Sequence, residues 1–145
     1  MGSESDRPTM QGAADALEAL GVPYEILVMS AHRPPEKVRE FGQNAEARGF
    51  KVLIAGAGYA AHLAGTLAAW SHLPVIGVPL PSSDLKGVDS LYATAQMPPG
   101  VPVAAMGIGS AGAKNAAYLA GAIIGQSDPA VRARYQAFRR QQSGG

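Results

Sequence analysis

The sequence predicts a single three-layer α/β domain built on a parallel sheet, and three observations predict it. Short apolar runs alternate along the chain with amphipathic, helix-like stretches. Within the runs, apolar residues stand at neighbouring rather than alternate positions, which is the pattern of strands buried on both faces. The chain has 145 residues, of which 47% are apolar, so it has the size of one domain and enough apolar mass for one core.

The elements follow in order. Residues 24–29, 51–55, 75–78 and 101–106 are the predicted strands, each short and rich in valine, isoleucine, leucine or alanine. Residues 8–20 carry helical spacing at Ala13, Ala16, Leu17 and Leu20, and Gly21 is a suitable C-terminal cap. A second helix, 35–48, is closed by Gly49. Further helices are expected at 60–71, 114–125 and 128–141, the last opened by Asp128-Pro129 as N-cap and first-turn proline. The abundant alanines fit plain helix propensity and close packing equally well. Right-handed crossovers would place helices on both faces of the sheet, with ligands at the carboxyl ends of its strands. The chain opens at Met1-Gly2-Ser3 as though on the loop after a strand, so a strand ahead of it is expected to be missing.

Composition excludes several classes. A net charge of +1 gives no nucleic-acid or membrane-surface footprint. Without cysteine there is no disulfide, thiolate metal site or cysteine nucleophile, which suits a cytoplasmic location. No apolar run approaches ~18 residues, so no membrane span is expected. No signal peptide is visible. No pair of histidines has ligand spacing with a carboxylate nearby, so no metal site is expected. Neither a G-x-S-x-G elbow nor a P-loop occurs.

The chemistry concentrates in loops after the apolar runs. In Gly2-Ser3-Glu4-Ser5-Asp6-Arg7-Pro8, hydroxyls and free amides at a helix start suit an anion, whereas Asp6 suits a sugar diol. The same residues also read as an ordinary helix cap. In Ser30-Ala31-His32-Arg33, Arg33 is a bidentate phosphate partner and His32 a proton donor or acceptor. Taken alone, His32 reads as a surface or packing histidine; its place at the carboxyl end of a strand, beside Ser30 and Arg33, sets the proton-transfer role evenly against that reading. Gly56-Ala57-Gly58-Tyr59-Ala60-Ala61-His62 mimics a dinucleotide fingerprint, but it is not on the first strand and no acidic residue ends the next one. Close backbone approach to a small ligand is the better reading, with His62 lining the pocket or capping the helix. Residues 79–100 form a stretch too long and proline-rich to be only a connector, as for a functional wall or an oligomer contact.

At these loops the chain resembles the 5-(carboxyamino)imidazole ribonucleotide mutases of class I, the phosphoribosylaminoimidazole carboxylase catalytic subunit family. The matching runs are Met1-Gly2-Ser3 with Ser5-Asp6, Ser30-Ala31-His32-Arg33, Ala55-Gly56-Ala57-Gly58, Ala60-Ala61-His62-Leu63 and Leu73-Pro74-Val75-Ile76-Gly77-Val78-Pro79. They continue with Gly87-Val88-Asp89-Ser90-Leu91, Gln96-Met97-Pro98 and Ala113-Lys114-Asn115-Ala116-Ala117. In order, they cover nearly the whole chain.

The resemblance implies a flavodoxin-like fold and a homo-octamer with active sites at subunit contacts. It implies an isomerase of purine biosynthesis without metal, ATP or organic cofactor. It carries over Ser3, Asp6 and Arg33 as ribonucleotide-binding residues and His32 as general acid/base. Ser5 and Ser30 are taken with the binding residues, while Gly56, Gly58, His62 and Leu63 are taken as lining the carboxylate pocket. The implied reaction moves a carboxyl group from the exocyclic nitrogen to the ring carbon through trapped carbon dioxide. Tyr59 stands where the family pattern has glycine, Ala64 where it has proline, and Ala104-Ala105 where it has Gly-Thr. The family's pattern also begins with a central strand before Met1. A chain carrying about ten further residues there is expected to be more stable, because an uncovered central edge is a liability. The alternatives are a carboxylase using free carbon dioxide, a paralogue acting on another nucleotide, and a nucleotide-binding module without turnover.

Overall fold

In the computed structural model, which describes residues 1–144, three strands form a parallel sheet in chain order. They are β1 (Leu53–Ala57), β2 (Val75–Pro79) and β3 (Ala104–Ala105). β2 is buried at every position, which is why its sequence is continuously apolar. Parallel neighbours need crossovers, here made by α3 (Leu63–Trp70) and α4 (Val88–Ala95).

Two apolar layers sandwich the sheet. Ile76 and Val78 face α1 (Arg7–Ala19) and α5 (Ser110–Ile124), where Leu17, Ala113, Ala117 and Ala120 are buried. Leu53, Ala55 and Val75 face α2 (Pro35–Asn44) and α3, where Val38, Leu63 and Leu67 are buried. The alternation of side chains across a strand divides the core between these layers. The alanines of α5 pack: Ala113, Ala116 and Ala117 are fully enclosed. α6 (Pro129–Gln142) closes the domain, its N-terminal amides from Ala130 and Val131 donating to the Asp128 carboxylate at 2.9 and 3.1 Å. Gly21 ends α1 at φ +65°, and its amide donates to the Glu18 carbonyl.

Four expectations need correction. Residues 24–29 do not form a ladder strand. They pair through Met1 alone: the Met1 nitrogen donates to the Leu27 carbonyl at 2.8 Å, and the Met29 amide donates to the Met1 carbonyl at 2.9 Å. The Gly2 amide donates to the Gly56 carbonyl at 3.1 Å, so Met1-Gly2 stands between 24–29 and β1. The strand read at 101–106 shrinks to Ala104–Ala105, because Pro102 has no amide to donate. The helix read at 60–71 begins only at Leu63, after the loop of glycine and small residues. Within the proline-flanked stretch 79–100, α4 appears where no helix was expected. Its polar groups are satisfied internally, Ser90 donating to the Leu80 carbonyl at 2.9 Å and Thr94 to the Ser90 carbonyl at 2.7 Å. Among the described residues, no helix is long and apolar enough to cross a membrane.

Candidate active site

Three loops meet at the carboxyl end of the sheet, and backbone hydrogen bonds fasten them. The bond from Gly2 to Gly56 ties the opening loop to the end of β1. The Leu80 amide donates to the Ala57 carbonyl at 2.9 Å and brings the loop after β2 alongside. A side chain at Gly58 would overlap the Ser82 hydroxyl, and one at Gly56 would overlap the Met10 thioether. Close approach therefore requires glycine at position 58, whereas a side chain at position 56 would have to displace the flexible Met10.

The opening loop is a 3-10 turn, Glu4–Asp6, capped by Ser3. The Ser5 amide donates to the Ser3 hydroxyl oxygen at 3.4 Å, and the Ser3 amide donates to an Asp6 carboxylate oxygen at 3.0 Å. The reciprocal pair is a capping box, so the cap reading of this loop is physically present. Asp6 is only 8% exposed. Burial holds its carboxyl above the ordinary carboxylate range, and the Ser3 amide opposes that shift.

In the second loop, the Ser30 hydroxyl oxygen accepts from the amides of His32 and Arg33 at 3.2 and 3.3 Å. This turn fixes the backbone from which both side chains project. The third loop brings in His62. His32 Nε2 and His62 Nδ1 lie 2.7 Å apart, and the rings meet edge-on with centroids 4.9 Å apart. At that distance one nitrogen donates and the other accepts, so the pair shares a proton. His62 occupies the N-cap position of α3, yet its side chain makes no cap bond. Both histidines and Arg33 are exposed, open to a ligand. Two groups thirty residues apart thus present one proton-exchanging unit.

Leu63 stands apart from this constellation. It is 3% exposed and belongs to the α2/α3 core layer. Met10, beneath Gly56, was not among the residues singled out from sequence; only its helical position marks it. Tyr59, between Gly58 and His62, adopts φ +53° and leaves its ring 62% exposed.

The comparisons agree across the chain. The family model described as AIR carboxylase matches residues 1–144. The N5-carboxyaminoimidazole ribonucleotide mutase of Haemophilus influenzae is 54% identical over 143 residues, covering 99% of this chain and 87% of the relative. The mutase of the same name from Pseudomonas aeruginosa is 52% identical, covering 99% and 88%. The crystal structure of Treponema denticola PurE superposes with a TM-score of 0.89 at 29% identity, covering 99% of this chain and 89% of that one. A match of this breadth, on a sheet with the same architecture, means that the chain belongs to the AIR carboxylase family.

Proposed function

We propose that the protein interconverts N5-carboxyaminoimidazole ribonucleotide and 4-carboxy-5-aminoimidazole ribonucleotide, an isomerisation in purine biosynthesis. The observation that carries this is the His32–His62 pair, in a chain 54% identical to a mutase. Protonated His32 gives its proton to the exocyclic nitrogen as the carbamate C–N bond breaks and carbon dioxide leaves. The ring carbon of the electron-rich aminoimidazole then attacks the trapped carbon dioxide, forming the new C–C bond. Neutral His32 takes the proton from that tetrahedral ring carbon, which restores both the aromatic ring and the starting protonation state. Holding carbon dioxide in a closed pocket makes a bimolecular encounter local.

His62 accepts or returns the shared proton and fixes the His32 ring. Ser3 and Arg33 bind phosphate, Asp6 the ribose, and Ser5 and Ser30 shape their loops around the ligand. Gly56 and Gly58 expose backbone to the carboxylate. The protein works as a homo-octamer in the cytoplasm, and the exposed apolar stripe Leu85, Val88 and Tyr92 supports an assembly.

The test supplies the carbamate substrate and, separately, unsubstituted aminoimidazole ribonucleotide with bicarbonate. Turnover of the first and not the second is expected. His32→Asn should lower kcat by about 10²–10⁴-fold, the range of general acid–base contributions. A variant working near the parent rate would remove His32 from the mechanism, and preference for the second substrate would make the protein a carboxylase.

A further inference from the structure

An open cavity of about 340 Å³ lies between the carboxyl-terminal ends of α2 and α3. Gly42, Gln43 and Glu46 line it from α2 and the turn after it, while Trp70, Ser71 and His72 line it from α3. Both helices run back toward the amino ends of β1 and β2, so the cavity opens at the end of the sheet away from His32 and His62. Along α3 alone, Trp70 stands eight residues beyond His62, roughly 12 Å at the helical rise. The two helices approach closely here: a β-carbon added to Gly42 would come within 3.0 Å of the Trp70 β-carbon.

The walls ask for one kind of ligand. The end of α3 is electrically unanswered: its cap residue Ser71 is extended at φ −130° and ψ 146°, so no left-handed turn folds amides back onto the last carbonyls. The Leu73 amide donates to the Ser71 hydroxyl oxygen instead, at 3.2 Å. No basic side chain stands in the last turn of the helix. Those carbonyls carry the negative end of the helix dipole and suit N–H donors that bear positive charge. Glu46 adds a carboxylate on the facing wall. Among the described residues the ion pairs are Arg7–Glu4 and Arg48–Glu25, and Glu46 belongs to neither. Trp70 supplies an apolar wall that is 43% exposed. The Arg39 guanidinium lies 5.8 Å from its ring centroid without lining the cavity, in keeping with the attraction of an indole face for cations. An inorganic cation would use the oxygens and leave the indole bare, whereas a neutral apolar molecule would cover the indole and leave the carbonyls and Glu46 unanswered. We propose that this cavity binds a primary ammonium on a short alkyl stem. Its three N–H donors are shared between the Glu46 carboxylate and the last carbonyls of α3, and its stem lies on the Trp70 indole. The site does not depend on the catalytic reading.

Trp70 is the one tryptophan of the chain, so tryptophan emission reports on this cavity alone. The probe is n-butylammonium chloride, titrated into the 145-residue chain against sodium chloride of the same ionic strength. A saturable change in emission with a Kd of about 1 mM is expected. Two relatives of the probe separate its parts: n-butanol keeps the stem without the charge, and butyltrimethylammonium keeps the charge without N–H donors. Each should bind about tenfold more weakly or not at all. Glu46→Gln should weaken n-butylammonium by about fivefold, whereas Glu18→Gln, on α1, should leave it unchanged. A change that does not saturate overturns the proposal, as does saturation by sodium chloride alone or equal binding of n-butanol. Equal binding of butyltrimethylammonium overturns donation to the carbonyls, and parental affinity in Glu46→Gln overturns the carboxylate contact.

Discussion

Tyr59 and Asp6 each hold a conformation or an environment that their chemistry disfavours. Tyr59 lies in the left-handed region, where a bulky side chain is strained, and its exposed ring recovers little by packing. Replacing it with glycine, the residue of the family pattern, removes that strain but adds flexibility to the unfolded chain. The expected balance is a stabilisation on the order of 1 kcal/mol, read by denaturant unfolding. Tyr59→Ala retains the strain and should show no such gain; an equal gain from both would assign the effect to the ring. Asp6 gives a pH signature. Its folded-state pKa is raised, so the stability linked to its protonation is fully present below the ordinary carboxylate value of about 3.9. That stability is lost as the pH rises through the elevated value. Asparagine keeps an oxygen for the Ser3 amide and never ionises. The melting temperature of Asp6→Asn relative to the parent should therefore climb between acidic and neutral pH. A difference that stays flat or falls contradicts burial as the dominant cause. The proposed ribose contact adds a separate expectation, a raised KM in the same variant.

Between elements, the decisive feature is how closely backbones approach. Gly112, in the first turn of α5, would drive a methyl group into the Gly107 carbonyl, which is backbone and cannot swing aside. Gly112→Ala should cost about 1–3 kcal/mol or more in unfolding free energy. Gly12 offers the contrast, because its added methyl would meet only the flexible Lys114 side chain. Gly12→Ala should be neutral or gain up to about 1 kcal/mol from helix propensity. If the two substitutions cost the same, close approach is not what selects glycine at 112. The same distinction explains what was legible beforehand. The apolar runs and amphipathic stretches revealed the two-sided sheet and the helices that cover it, since periodicity is local. α4 escaped notice because prolines bracket it and its Ser90 and Thr94 bond to nearby carbonyls rather than showing an apolar stripe. The loops holding His32 and Gly56 were found by the rule that ligands sit at strand ends. The contact between His32 and His62 was not, because it depends on the spatial order of the sheet and leaves no mark in spacing. Leu63 shows the reverse case: a residue inside a matching motif that the fold uses as core.

At the scale of the whole molecule, the surface raises its own question. Leu85 and Tyr92 are more than 60% exposed, and Val88 is 46% exposed. Their spacing of three and four residues puts them on one side of α4 and the turn before it. A single exposed leucine needs no account, whereas a contiguous apolar stripe on the wall beside a candidate active site does. The proposed octamer supplies one, by burying the stripe between copies. A glutamate placed at Tyr92 would be desolvated in such a contact without a partner, but would be harmless on a free surface. Light scattering coupled to size exclusion should therefore find an assembly for the parent and a smaller species for Tyr92→Glu. Unchanged far-ultraviolet circular dichroism should show that the fold survives. With the active sites of the proposed octamer at subunit contacts, activity of the variant should rise with protein concentration while specific activity of the parent stays level. A variant of parental mass would place the oligomer contact elsewhere. A small species with full, concentration-independent activity would show that each subunit carries a complete site.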